Sequence, residues 1–484
     1  MGKSDAGLAG YQKIGLVLGP LLALAVLLLE PPAELSLEGW RVVALSLWMA
    51  SWWASEAVPL AVTSLLPLVG FPLLGILPLD KAATPYAGPI IFLLMGGLII
   101  ATALQRWNLH RRIALNVLKH FHAGPSALVG GFMAATALIS MWVSNTATAL
   151  MMVPIALSVG ETVSGKQEEK KIFLAALLLG VCYAASIGGF GTLIGTPPNA
   201  MAAAFLRQSY GIEVRFVQWM MLGVPIILVL LPLAWLLLVR FLFPLRGFTL
   251  EGGAAHIKDE LKALGALSAP ERRTAMVLAA VAASWIFRPL LNEIPFLERL
   301  DDTVIAMGGA ISLFLIPSGS KSEPGSFLLN WAWAATIPWG ILLLFGGGLS
   351  LAAAIDATGL AEWLGETLTG LAAFEALALF GAVIALIVFL TELASNTATT
   401  AALLPILGAL AAATGVSPVL LAAPAAIAAS CGFMLPVATG PNAIVFATGK
   451  LTIPQMVKAG FALDLVSIVV ITALAFLLVP LVFG

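Results

Sequence analysis

Charged side chains are scarce in this chain: Asp, Glu, Lys and Arg make up 10% of its 484 residues, where soluble domains carry about 25%. That shortage excludes an ordinary soluble fold. Cysteine is nearly absent, and Cys182 and Cys431 both fall in apolar segments. Neither a disulfide framework nor a cysteine metal centre can be built from them, and they read as packing residues. The four histidines, His110, His120, His122 and His256, lie outside the long apolar runs. An integral membrane enzyme, which needs a cluster of His, Asp, Glu or Cys in a cavity, is therefore disfavoured. Net charge is -1, with no block of Lys and Arg interleaved with aromatics, which sets nucleic acid aside as a partner.

What fills the chain instead is hydrocarbon. Hydrophobic residues make up 60% of it and the mean hydropathy is +1.03, the composition of an all-α polytopic membrane protein. The first apolar run, Ile14 to Leu29, follows Lys3 and Lys13 as a signal peptide would. It ends in Glu30-Pro31-Pro32 without a small-x-small cleavage pattern, so a first span is expected. A span needs about 20 apolar residues. Punctuation by Pro, Gly and charge predicts about eleven spans, at 12–29, 40–56, 60–77, 88–105, 171–208, 216–243, 272–291, 303–316, 336–355, 418–448 and 455–482.

Two segments do not behave as single spans. Residues 125–162 and 374–414 are each two apolar arms meeting at a polar tip, Ser144-Asn145-Thr146-Ala147-Thr148 in one and Ser395-Asn396-Thr397-Ala398-Thr399 in the other. Each reads as a re-entrant helical hairpin. The spans 171–208 and 418–448 are interrupted by Gly188 to Asn199 and by Pro436-Val437-Ala438-Thr439-Gly440-Pro441-Asn442. Gly and Pro at that density break a helix and free backbone groups for a ligand. Gly189-Phe190-Gly191 with Gly195 has the wrong spacing for a nucleotide loop, and no strand precedes it.

The tips are copies. Ser395 follows Ser144 by 251 positions, Gly346-Gly347 follows Gly96-Gly97 by 250, and Thr439 with Pro441-Asn442-Ala443 follows Thr196 with Pro198-Asn199-Ala200 by 243. The order in each half is span, hairpin, broken span. Five crossings separate equivalent points, and an odd number turns the second copy over, giving inverted repeats with a site near the midplane, as in secondary transporters. With the N-terminus cytoplasmic, only Arg41, Lys81, Arg207, Arg215, Arg288 and Arg299 of the 24 basic residues stay outside, consistent with the positive-inside rule. The first hairpin then enters from the cytoplasm and the second from outside. The basic amphipathic run from Arg106 to His122 is expected to be an interfacial helix bracing the first hairpin, with a counterpart at Gly359 to Leu371.

At these paired tips and breaks the chain resembles the divalent anion/sodium symporter family, which includes sodium-coupled dicarboxylate and citrate transporters. The resemblance covers most of the chain. It implies a homodimer whose protomers each have a scaffold domain and a transport domain moving elevator-fashion. The expected parts are scaffold spans with the interfacial helix at 1–124, a first transport half at 125–244, a cytoplasmic loop with further scaffold spans at 245–373, and a second transport half at 374–484. It also implies that Ser144, Asn145, Thr146, Ser395, Asn396 and Thr397 bind substrate carboxylates, with Thr196 and Thr439 nearby. Sodium would be held by Ser140, Ser144, Asn145 and Gly195 in the first half and by Thr391, Ala394, Asn396 and Ala438 in the second. The location implied is the plasma (inner) membrane.

The residues argue alongside the likeness. Neutral hydroxyls, amides and helix N-termini bind carboxylates, and exposed carbonyls hold a hard cation. No Arg, Lys or His lies in either tip or break, so a dianion brought there needs bound cations to neutralise it. Neither Ser-Asn-Thr core has a carboxylate or His to carry a proton, and the nearest candidate is Glu392, so sodium is preferred. The reading is sodium-coupled import of small di- or tricarboxylates such as succinate, malate, fumarate or citrate. A dicarboxylate exchanger or sodium/sulfate symporter of the same family is the alternative. The roles of Glu56, Glu392 and Asp464 stay open at this level.

Overall fold

The computed structural model describes residues 9–121, 124–161, 167–245, 253–370 and 375–484. Lys3, His122 and Leu371, which entered the reading above, lie outside the described residues. Among the described residues the fold is helical, with an isolated bridge between Pro317 and Phe327 as its β pairing. Seven helices among them are long and apolar enough to cross a membrane: Gly10–Leu28, Leu79–Arg106, Gln167–Gly191, Phe216–Leu242, Trp339–Ala357, Asn396–Thr414 and Ile453–Phe483.

Other expected spans take different forms, for readable reasons. The helix Leu37–Ser55 has the length of a span, yet Glu38, Arg41 and four tryptophans lower its hydropathy. The stretch expected as one span at 60–77 is two short helices, Leu60–Thr63 and Leu66–Leu73. Pro67 at the start of the second and Pro72 near its end cannot donate to a helical ladder. The stretch 272–291 becomes Ala269–Ile286 followed by the single turn Arg288–Leu291, whose start is marked by Pro289.

The described residues form two compact units. The first takes the described residues of Met1–Ile91, Met201–Val214 and Pro338–Ala429, and the second those of Phe92–Ala200, Arg215–Ile337 and Ser430–Gly484. The second unit holds the first hairpin, with arms Pro125–Ser140 and Asn145–Glu161. Both arms pack on the helix that follows, Gln167–Gly188, here called the first stem. The first unit repeats the pattern: the arms Ala376–Thr391 and Asn396–Thr414 both pack on Pro418–Ala429, the second stem. Residues 175–188 of the first stem and 421–429 of the second are buried throughout. A helix apolar all round is the signature of complete enclosure. Lipid is as apolar as leucine, so close van der Waals packing through small residues replaces the hydrophobic effect between such helices. A methyl group at Gly188 would run into the backbone of Ala137 on the first arm.

The helix expected at the interface is Leu109–Leu118, in the second unit. Leu109, His110, Ala114, Leu115 and Leu118 are its buried face. From it Arg112 donates through Nε to Glu271 Oε1 at 2.7 Å, and through Nη1 and Nη2 to the carbonyls of Gly265 and Leu264 at 3.0 and 3.1 Å. Glu271 also closes a capping box with Ser268 at the start of Ala269–Ile286. Burial works to raise its carboxyl, but the hydrogen bonds from Arg112 and Ser268 outweigh that and hold it below the ordinary value. Burial, with the charge of Arg111 adding, lowers His110, against the bond between its Nδ1 and the Leu104 carbonyl. The expected outer counterpart is the helix Leu360–Thr367, with Leu360 and Gly365 buried.

Candidate functional site

Each tip ends one helix and starts another four residues later. Asn145 opens the helix Asn145–Glu161 and Asn396 opens Asn396–Thr414. The positive ends of both helices are thus presented at the polar tips. Ser144 is exposed at its tip and its Oγ accepts from the Ala147 amide at 3.4 Å. Ser395 is the N-cap of its helix, and Ala394, Asn396 and Thr397 are half-buried around it.

Behind the first tip, the buried Ser140 Oγ donates at 2.8 Å to Asn145 Oδ1 and at 2.6 Å to the carbonyl of Ala185 on the first stem. In the other unit, the buried Thr391 Oγ1 donates at 2.8 Å to Asn396 Oδ1 and at 2.7 Å to the carbonyl of Ala429 on the second stem. The two triads match atom for atom. A hydroxyl carries one hydrogen, so in each triad three oxygens converge on a single proton. Such a set is under-supplied with donors and suits a hard cation, whose ligands are oxygens. The buried hydroxyls of Thr148 and Thr399, equivalent positions of the two tips, have no hydrogen-bond partner among the described residues.

The breaks are built alike as well. The first stem passes through a turn of tighter helix, Gly189–Gly191, into an irregular stretch, and Pro197–Tyr210 then begins. Asn199 Nδ2 donates to the carbonyls of Gly189 and Thr192, both at 2.8 Å. In the second break Asn442 Nδ2 donates to the carbonyls of Gly432 and Leu435, at 3.1 and 2.8 Å. Both asparagines reach back ten and seven residues, and both are fully buried. They staple the loops at the shape the breaks need. Sequence reading singled out their Pro-Asn-Ala repeat and assigned the asparagines no role; their exact repetition with the prolines was the available signal.

Within the second unit these parts come together. Gly189 lies beside the Asn145 amide and Thr196, and Gly195 lies against the Gly189 carbonyl, which gathers Ser140, Asn145, Gly195 and Thr196 around the first break. Thr146 of the first tip lies against Gly440, at the start of the helix Gly440–Ala447. That start is capped by Thr439, whose Oγ1 accepts from the Asn442 amide at 3.2 Å. Ala438 is buried and donates its amide to the Leu435 carbonyl at 3.1 Å. Thr391, Ala394, Ser395, Asn396 and Thr397 belong to the other unit. Among the described residues no group of three or more His, Cys, Asp or Glu could hold a metal. The donor sets here are hydroxyls, amides and carbonyls instead.

A helical membrane protein built twice over, with neutral, oxygen-rich hairpin tips and interrupted stems, defines a class of polytopic transport-type proteins. The chain belongs to the family described as sodium:sulfate symporter transmembrane region, which matches residues 12–483. It is 43% identical to the sodium-dependent dicarboxylate transporter SdcS of Staphylococcus saprophyticus, over 98% of this chain and 92% of that one. It is 42% identical to the protein of the same name from Staphylococcus aureus strain USA300, with the same coverage. The crystal structure of the Alcanivorax borkumensis YdaH transporter aligns over 97% of each chain at 14% identity and a TM-score of 0.48, a likeness too loose to carry an argument.

Proposed function

We propose that the chain is a sodium-coupled symporter of small di- and tricarboxylates, importing succinate, malate, fumarate or citrate across the plasma membrane. The observation that carries this reading is the repeated triad: Ser140 with Asn145 and Ala185, and Thr391 with Asn396 and Ala429, each three oxygens sharing one hydrogen. Sodium entering each triad would be ligated by lone pairs of these oxygens, with the hydroxyl keeping its hydrogen and turning it away from the ion. The ion would then set its positive charge beside a tip whose helix N-terminus already favours an anion. Ser140, Ser144, Asn145 and Gly195 form the first proposed sodium position, and Thr391, Ala394, Asn396 and Ala438 the second. Substrate carboxylates take the remaining donors, from Ser144, Asn145, Thr146, Ser395, Asn396, Thr397, Thr196 and Thr439. No fixed cation lies in the tips or breaks, so a dianion binds once sodium has neutralised the site, which is the physical origin of coupling. The relatives named above are called sodium-dependent dicarboxylate transporters, in keeping with this order of events. Two protomers, each with a transport domain carrying both hairpins past a scaffold, complete the reading, with the N-terminus in the cytoplasm.

Uptake of radiolabelled succinate into proteoliposomes tests it. An inward sodium gradient should drive accumulation and a matched potassium gradient should not. Citrate or sulfate as competitor identifies the anion class. Accumulation that ignores sodium but needs dicarboxylate inside the vesicle would replace symport by exchange.

A further inference from the structure

The second unit contains one more repeat, between the helices that follow the breaks, Phe216–Leu236 and Ile453–Phe483. A methyl group at Gly223 would meet the carbonyl group of Phe190 and Cα of Gly191, and one at Gly460 would meet the carbonyl group of Phe433 and Cα of Met434. Phe433 and Met434 stand 243 positions after Phe190 and Gly191, the spacing of the breaks themselves, so Gly223 and Gly460 are equivalent. With that register the buried faces coincide. Trp219, Leu222, Ile226, Ile227, Leu230 and Ala234 of one helix correspond to Met456, Ala459, Leu463, Asp464, Ser467 and Ile471 of the other, and all twelve are buried. The first face is apolar except for the indole of Trp219, which donates to the Phe190 carbonyl at 2.9 Å. The second carries a carboxylate and a hydroxyl where the first has Ile227 and Leu230.

The place of Asp464 follows from its equivalent. Ile227 Cδ1 comes within 2.9 Å of where a side chain on Gly191 would begin, and the register of the repeat carries that placement over to position 464 and Met434 in the second break, a turn of chain before Ala438. Asp464 and Ser467 are both fully enclosed, and Ser467 Oγ has no hydrogen-bond partner among the described residues. A carboxylate at membrane depth is expensive and marks a functional position by default. A hard cation beside it answers that cost with oxygens from one helical face and from irregular backbone.

We propose that Asp464 and Ser467 hold a third sodium ion beside the second break, in addition to the two at the hairpin triads. The proposal rests on the sodium-coupled reading above and adds an asymmetry to it: the second repeat carries a charged cation position that the first lacks. Such an ion is held by a full negative charge, so it binds ahead of the others and firms the loop that presents Ala438 and Thr439.

The test is the sodium-to-succinate ratio, found from the succinate gradient that balances a known sodium gradient and membrane potential in proteoliposomes. Asp464→Asn is expected to lower the ratio by one sodium ion, and Ser467→Ala to keep the ratio while weakening apparent sodium affinity severalfold. A D464N protein with the wild-type ratio would overturn the proposal, whatever happens to its pH profile. If D464N does not transport, sodium-dependent thermal stabilisation of the purified protein decides: a shallower rise of Tm with sodium than in wild type supports it, and equal slopes overturn it. Sodium-independent uptake by the wild type would remove the symport reading itself. Sodium-driven uptake with an unchanged ratio in D464N removes the third ion alone.

Discussion

At the scale of single residues, the proposed mechanism gives Asn145 and Asn396 two tasks that are usually separate. Each amide oxygen faces a buried hydroxyl that also serves a stem carbonyl, and each side chain stands at a helix N-terminus, where the proposed mechanism puts the substrate. Alanine at either position removes a cation ligand and an anion donor together. Lost hydrogen bonds to charged groups cost about 1.5–3 kcal/mol, so N145A and N396A should each weaken apparent sodium affinity by roughly tenfold to a hundredfold and lose coupled uptake at ordinary sodium. Normal sodium-driven uptake by either variant would remove the site assignment. Asn199 and Asn442 differ in kind, because both donor hydrogens serve backbone carbonyls. N199A or N442A takes the side-chain donor from two buried carbonyls, of which Thr192 and Leu435 keep a backbone amide; at about 1–3 kcal/mol for the loss, each should lower Tm in detergent as well as slow transport. These four asparagines were unequally legible. Those in the tips declared themselves as polar groups inside hydrocarbon, whereas the staples act on backbone ten residues away, and nothing in local sequence marks which carbonyls a loop will turn inward. Asp464 stood out as an isolated carboxylate, and the role proposed for it rests on Gly460, which sets the register of its helix against the break.

Among elements, the hairpins and broken stems were readable because their Gly, Pro and Ser-Asn-Thr clusters interrupt otherwise unbroken apolar runs. The stretch 60–77 was harder: its composition is that of a span, and the prolines at 67 and 72 turn it into two short helices. The interfacial helix was legible from its amphipathic charge, though its partner was not. Arg112 finds Glu271 across 159 positions, a distance no local pattern encodes. That clamp makes a pH prediction. His110 is lowered by burial from its ordinary 6.5 and Glu271 is held below its ordinary 4.5 by Arg112 and Ser268. In both cases the unfolded chain takes up a proton before the folded one does, so stability rises with pH. Thermal melts should be flat at neutral pH, decline below about pH 6.5 as unfolded His110 is protonated, and decline again below the ordinary Glu271 value. Arg112→Ala leaves a buried carboxylate with only its Ser268 bonds, at about 3–5 kcal/mol, and should shrink the second decline. A melt that rises toward acid would contradict the clamp.

For the whole molecule the governing proposal is inversion of the two repeats. The repeat offsets mark two copies in the sequence; the expected inversion follows from an odd count of crossings between them, with both hairpins returning to their own side. If one hairpin crossed, the copies would be parallel, the matching triads would face the same side, and a single site alternately open to each side would lose its geometric basis. The equivalent loops after the two breaks give a direct reading. Glu213 follows Pro197–Tyr210 and Lys450 follows Gly440–Ala447, and both are exposed. Cys182 and Cys431 are both buried, so the unmodified chain offers an impermeant maleimide little to label. A cysteine at position 213 should react in intact cells, and one at position 450 only after the membrane is opened. Reaction of both from the same side would make the repeats parallel, reverse the entry of one hairpin, and require a different route for the anion through the same two triads.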